Sequence, residues 1–258
     1  MLQVTLARFE ILCMTALLAS VRTLREASIA VDAGCDWLDL KEPRTGALGA
    51  LPRACIARIV ARFHGQLPIS ATIGDCWDRP KLIPARVAAL TSTGVDYLKV
   101  GLFVDQISTE LECALRAAIA IMPRLIAVCF VEAVPRPRDV ARLATFGFVG
   151  VMLDTADKVG GALPTRVPAT ALQQFVGAAR EHRLLVGLAG SLRTRDVAEL
   201  LPLGADYLGF RGALCQGQLR TAALAPEAIR TIRRLLAPTP AAHTTNEESN
   251  HGMARTQI

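Results

Sequence analysis

Apolar residues along this chain fall into short, β-branched runs separated by longer stretches of helical period, and the two kinds alternate. Eight runs read as strands: Thr15 to Ser20, Trp37 to Lys41, Pro68 to Ile73, Tyr97 to Val100, Leu125 to Phe130, Val149 to Leu153, Leu184 to Leu188 and Tyr207 to Gly209. A helical pattern follows each run, which is what a parallel sheet with crossover helices requires. Eight such units predict an α/β fold of one domain, a closed (β/α)8 TIM barrel rather than an open doubly wound sheet.

A repeated phrase supports this reading. Gly34-Cys35-Asp36-Trp37-Leu38, Gly94-Val95-Asp96-Tyr97-Leu98 and Gly204-Ala205-Asp206-Tyr207-Leu208 stand before the second, fourth and eighth strands. In each, glycine closes a helix in a left-handed conformation and an acidic turn leads into the strand. The aspartates belong to the bottom of the barrel, the end away from the chemistry. The barrel pattern occupies residues 14–237. Residues 1–13 read as an N-terminal extension, with Met14 a candidate start, and residues 238–258, polar and aperiodic, as a disordered tail. Ile11 to Ala19 is too short to span a bilayer and runs into a helical pattern rather than a cleavage site, so neither a membrane span nor a secretory signal is expected.

Composition narrows the function classes. The chain is 52% hydrophobic and 20% charged, which excludes a disordered polypeptide. Its net charge of +6 is spread over many helices without interleaved aromatics, which argues against nucleic acid and suits small anionic substrates. Seven cysteines, an odd number with no Cys-x-x-Cys pair, fit neither a disulfide framework nor a zinc cage. Cys13, Cys35 and Cys129 sit in apolar runs and read as core residues of a cytoplasmic protein. His64, His182, His243 and His251 lie in helix ends or the tail, away from strand ends, so histidine catalysis and a metal site are not expected. No Gly-x-Gly-x-x-Gly opens a helix after the first strand, and no cofactor is expected.

Lysine is scarce: only Lys41, Lys81, Lys99 and Lys158 occur among 29 basic residues. An amine can lose its proton and attack a carbonyl, whereas a guanidinium cannot. Lys41 and Lys99 end strands, and Lys158 follows the strand end at Asp154 by four residues. Barrel active sites lie at the carboxyl ends of strands. Period-two alternation points Asp39 and Lys41 into the barrel, and superposing the repeated phrase puts Asp39 level with Lys99, and Lys41 level with Arg211 one layer nearer the mouth. Lys81 follows Arg79-Pro80 at a helix start and reads as a solvated charge. Gly187-Leu188-Ala189-Gly190-Ser191 and Gly209-Phe210-Arg211-Gly212-Ala213 follow the seventh and eighth strands, where barrels commonly hold phosphate. Gly190, Ser191, Gly212 and, by a bidentate contact, Arg211 are the candidate phosphate ligands. A long glycine-rich loop, Glu42 to Pro52, is either a lid or a plain connector.

With Leu38-Asp39-Leu40-Lys41-Glu42-Pro43, Ala71-Thr72-Ile73-Gly74-Asp75, Tyr97-Leu98-Lys99-Val100-Gly101-Leu102, Asp154-Thr155-Ala156, Leu188-Ala189-Gly190-Ser191 and Arg211-Gly212-Ala213, the chain resembles the (5-formylfuran-3-yl)methyl phosphate synthase family from about Thr15 to Ala237. The resemblance implies condensation of two glyceraldehyde 3-phosphate molecules into a phosphorylated furan aldehyde on the way to a methanofuran-type cofactor. It also implies a Schiff base on Lys41, proton acceptance by Lys99, and functional roles for Asp39, Asp154 and Lys158. Val131-Glu132 departs from the alanine-aspartate pair the resemblance leads one to expect. A Schiff-base aldolase acting on another sugar phosphate and a non-catalytic barrel binding a phosphorylated ligand stay open, as does a homo-oligomeric state.

Overall fold

A computed structural model describes residues 14–237. The expectations for the extension with Cys13 and for the tail with His243 and His251 fall outside the described residues. Eight strands alternate with helices: β1 Ala16–Val21, β2 Trp37–Leu40, β3 Ile69–Thr72, β4 Tyr97–Leu102, β5 Leu125–Phe130, β6 Gly150–Asp154, β7 Leu185–Leu188 and β8 Tyr207–Phe210. The main crossover helices are α1 Leu24–Asp32, α2 Arg53–Phe63, α3 Leu82–Thr91, α4 Thr109–Ile121, α5 Pro137–Phe146, α6 Leu163–Arg166, α7 Ala169–Glu181, α8 Val197–Leu200 and α9 Pro226–Leu236. Every strand pairs in parallel with the next, and β1 pairs with β8, closing the barrel the pattern predicts.

The strand alternation sorts the core into two layers. Leu17, Ala19, Leu38 and Leu40 join the helices in an outer apolar shell. Leu18, Trp37, Ile126, Val128, Met152 and Tyr207 fill the barrel's interior. That interior is tight enough to require glycine: a Cβ on Gly187 would lie 2.1 Å from the Tyr207 ring. β4 runs to Leu102, two residues past the expected end, because Leu102 stays in register with Cys129 of β5.

Glycines 34, 94 and 204 have φ of +88°, +76° and +68°, the left-handed closure their phrase predicts. Each aspartate two residues on grips one residue of the preceding strand twice. Asp96, for example, donates its N–H to the Ile69 carbonyl at 3.0 Å and accepts the Ile69 N–H on Oδ2 at 2.9 Å. Asp36 does the same with Leu17 and Asp206 with Val186. These three clamps tie the amino-terminal ends of neighbouring strands together, opposite the face where the site forms.

Candidate active site

Interior positions of β2 and β4 bring Asp39 and Lys99 together. Lys99 Nζ donates to Asp39 Oδ1 at 2.8 Å, and Ser70 of β3 and Ser20 of β1 donate to the same carboxylate at 2.8 and 3.0 Å. Burial by itself would raise the Asp39 pKa, but the Lys99 and Lys41 ammoniums and the hydrogen bonds hold it below the usual carboxylate range. Lys99 is 1% exposed, and burial pulls its pKa below the ordinary lysine value against the pull of Asp39. Its ammonium also lies 5.6 Å from the centre of the Tyr207 ring.

One layer up, Asp154 at the end of β6 gathers the other two lysines. Lys158 Nζ is 2.5 Å from Asp154 Oδ1, and Lys41 Nζ is 3.9 Å from Oδ2. Burial pushes the Asp154 pKa up, and the Lys158 and Lys41 charges more than reverse that. Lys158 also donates to the Thr155 carbonyl, and burial lowers its pKa against the attraction of Asp154. Lys41, only 8% exposed, makes no hydrogen bond through its Nζ among the described residues, and it lines the cavity. Lys99 lies beneath that cavity, outside its lining. Lys81 is 89% exposed and pairs only loosely with Glu110, a solvated charge as expected.

The cavity, about 280 Å³, opens between the ends of β1, β2, β6, β7 and β8. Lys41, Lys158, Arg193, Arg211 and Arg220 line it, with Asp154 the one carboxylate on its wall. Such an excess of positive charge calls for an anionic occupant. On the β7 side, Gly190 has φ +113° and Ser191 +49°. Consecutive left-handed residues turn successive N–H groups toward one side, and neither N–H has a backbone partner among the described residues.

Arg211 does not serve as the bidentate ligand the sequence suggests. Its guanidinium donates to both oxygens of Glu26 at 2.6 and 3.2 Å and to the carbonyls of Ser20, Arg220 and Ala222, which uses all of its donors. Arg220 in that loop is partly buried in the cavity wall, and its guanidinium spends one hydrogen bond, on the Gly46 carbonyl at 3.0 Å, among the described residues. Nothing in the sequence marked Arg220 or Arg193, since arginine is the common basic residue here.

The β6 loop that delivers Lys158 is held from the side. Glu132 accepts the N–H groups of Ala156 and Asp157 at 3.1 and 3.0 Å, and pairs with Arg166 at 3.0 Å. The family departure at this position therefore still carries a carboxylate, reaching the loop on a longer arm.

A parallel barrel with buried lysine–carboxylate pairs at its carboxyl-terminal mouth and a cationic cavity above them is a TIM barrel of the kind that carries its site at the strand ends. Within that class, residues 17–233 match the model of the 4-HFC-P synthase family. A relative from Methylorubrum extorquens is 43% identical over 209 residues, covering 81% of this chain and 86% of its own. The (5-formylfuran-3-yl)methyl phosphate synthase of Methanopyrus kandleri is 33% identical over 233 residues, covering 86% of this chain and 98% of its own. Among solved structures, 3-hexulose-6-phosphate synthase from Salmonella typhimurium superposes with a TM-score of 0.62 at 17% identity over 86% of this chain and 98% of that one, a likeness of fold. The chain belongs to the (5-formylfuran-3-yl)methyl phosphate synthase family. No helix among the described residues is long and apolar enough to cross a membrane.

Proposed function

We propose that this barrel condenses two molecules of glyceraldehyde 3-phosphate into (5-formylfuran-3-yl)methyl phosphate through a Schiff base on Lys41. The observation that carries the reading is the division of labour among the buried lysines. Lys99 is held by Asp39 and Lys158 by Asp154, while Lys41, 3.9 Å from Asp154, faces the cavity with no hydrogen bond on its nitrogen among the described residues. An attacking amine must present its lone pair to a carbonyl, and Lys41 is free to do so.

An iminium on Lys41 acidifies the carbon next to it. Lys99, beneath the cavity and in the neutral form that burial favours, takes that proton, and Asp39 then holds the ammonium formed. The enamine attacks the aldehyde of the second triose. Loss of one phosphate and two waters from the six-carbon adduct leaves the phosphorylated furan, with no oxidant or reductant required. Asp154 and Lys158 sit beside Lys41 to exchange protons as the iminium forms and is released. Phosphate is held by the N–H groups of Gly190 and Ser191, the backbone at Gly212, and the guanidiniums of Arg193 and Arg220.

Borohydride reduction in the presence of glyceraldehyde 3-phosphate is expected to leave one covalent adduct, on the peptide carrying Lys41, and the unreduced reaction to yield an ultraviolet-absorbing furan. An adduct on Lys99 or Lys158 would reassign the nucleophile. A linear sugar phosphate as the only product would make the enzyme an aldolase.

A further inference from the structure

Hydroxide is a poor leaving group unless its oxygen is protonated as it departs, and the reaction proposed above expels water twice. Neither buried carboxylate assigned so far supplies an acid for this, because Asp39 and Asp154 are both held ionised by lysines, and the Lys99 and Lys158 ammoniums are engaged in those pairs. Asp75 differs from them. It follows β3, at the top of the barrel, and lies beneath the turn of the β2 loop at Gly46, Ala47 and Leu48. Its Oδ2 is so close to that turn that a Cβ on Gly46 would lie 1.9 Å from it. Its Oδ1 is buried and has no hydrogen-bond partner among the described residues. Among the described residues no cation approaches Asp75 within ion-pairing distance, although Lys158, Lys41 and Arg220 all act on it or feel it across the mouth.

A buried, unpaired carboxylate oxygen is costly when charged and is relieved by a proton. We propose that Asp75 is a further catalytic residue of this site: the general acid that protonates the departing hydroxyl during dehydration. This rests on the condensation reading given above. In the step, the enamine nitrogen's lone pair forms C=N and the enamine C=C pair moves to form the neighbouring C=C. The C–O bond breaks with both electrons on oxygen, which takes the Asp75 proton and leaves as water. Asp75, part-buried beneath the β2 loop rather than on the cavity wall, regains its proton from solvent.

The charged surroundings agree. Burial raises the Asp75 pKa above the ordinary aspartate value of 3.8, outweighing the Ala47 and Leu48 N–H groups and the Lys158 and Lys41 charges. Beside it, Arg79 is spent on the Asp75 carbonyl, Cys76 is a thiol whose own pKa burial raises, and Arg86 is spent on the Ile73 carbonyl.

The test compares Asp75→Asn with the parent enzyme under two readouts. One is Lys41 chemistry, followed as deuterium exchange next to the carbonyl and as the borohydride-trapped adduct. The other is furan formation. In Asp75→Asn the exchange and the adduct are expected to persist, the adduct retaining its hydroxyl by mass, while furan formation falls by about a hundredfold or more. Asp75→Glu, which keeps the acid on a longer arm, is expected to recover about tenfold of that loss. Because the step needs the protonated form, the parent's ratio of furan formation to exchange should fall as pH rises through the Asp75 pKa, a dependence absent in Asp75→Asn. Loss of exchange together with furan, a Glu variant no better than Asn, or a parent ratio flat with pH would overturn the acid role; the last result decides even if Asp75→Asn does not fold. A parent that traps no adduct and forms no furan would instead sink the condensation reading, and this assignment with it.

Discussion

Arg211 and Arg220 stand nine residues apart around the same loop and put their guanidiniums to opposite uses. Arg211 is consumed by Glu26 and three carbonyls, one of them the carbonyl of Arg220, and so sets the path of the backbone that presents Arg220 to the cavity. Arg211→Ala would leave Glu26, 6% exposed, without its main counterion, although Arg22 stays within reach. Breaking a buried pair from one side costs about 3 kcal/mol or more, so this variant should unfold at clearly lower denaturant concentration. Arg220→Ala should fold nearly as well as the parent. Its Michaelis constant for a phosphorylated substrate should rise about tenfold or more, and inhibition by inorganic phosphate should weaken. If Arg211→Ala kept its stability and lost phosphate inhibition, the roles would have to be exchanged. The inward placement of Lys41, Lys99 and Asp39 was legible in the sequence because it follows from period-two alternation over a few residues, but Lys99, read as ending its strand, lies mid-strand because β4 runs on to Leu102. The fate of Arg211 was not legible, since Glu26 lies 185 positions away and its pairing exists only once the barrel has closed.

The end of β6 and the short loop after it carry two of the six residues proposed for catalysis, and the loop has little apolar contact of its own to hold it. Lys158 folds back onto Asp154, and Glu132 fixes the intervening backbone from the end of β5. The sequence showed the spacing of Asp154 and Lys158 but not what holds them, because a glutamate at a strand end has no local pattern that reveals its acceptor role. Glu132→Ala frees two N–H groups near the surface, where water can replace the lost carboxylate, so the melting temperature should move by only a few degrees. Misplacing a catalytic group by about an ångström can cost up to a hundredfold in rate, and turnover in this variant should fall at least tenfold with the Lys41 adduct still trapped. Unchanged turnover in steady-state assays would show that Lys158 finds Asp154 unaided.

Across the whole molecule, the two ends of the barrel carry different burdens, as the fold leads one to expect. At the mouth, three lysines, two buried aspartates and an unpaired Asp75 are held where charge is expensive. At the base, the Gly-x-Asp phrases form backbone clamps that face no cavity among the described residues lining the site. Both ends were readable as recurring phrases, since a left-handed glycine and a turn aspartate act within five residues; what the phrases could not show was that each aspartate grips the preceding strand at two points. Asp96→Ala removes the acceptor for the Ile69 N–H and leaves that donor without its partner at the start of β3. The cost should be about 1 to 3 kcal/mol, and each kilocalorie lowers the melting temperature of a domain this size by about 2 to 4 °C. Asp96→Asn keeps an oxygen in the same place and should lose less. In both variants turnover and Michaelis constant, assayed well below the melting temperature, should stay within about twofold of the parent, because the clamp lies at the far end of strands whose upper halves are fixed by their neighbours on both sides. Asp39→Asn, inside β2 nearer the mouth, should abolish turnover through the loss of the Lys99 counterion. A large drop in turnover for Asp96→Ala at full fold would mean that strain at the base reaches the lysines, and the separation of stability from chemistry along the barrel axis would fail.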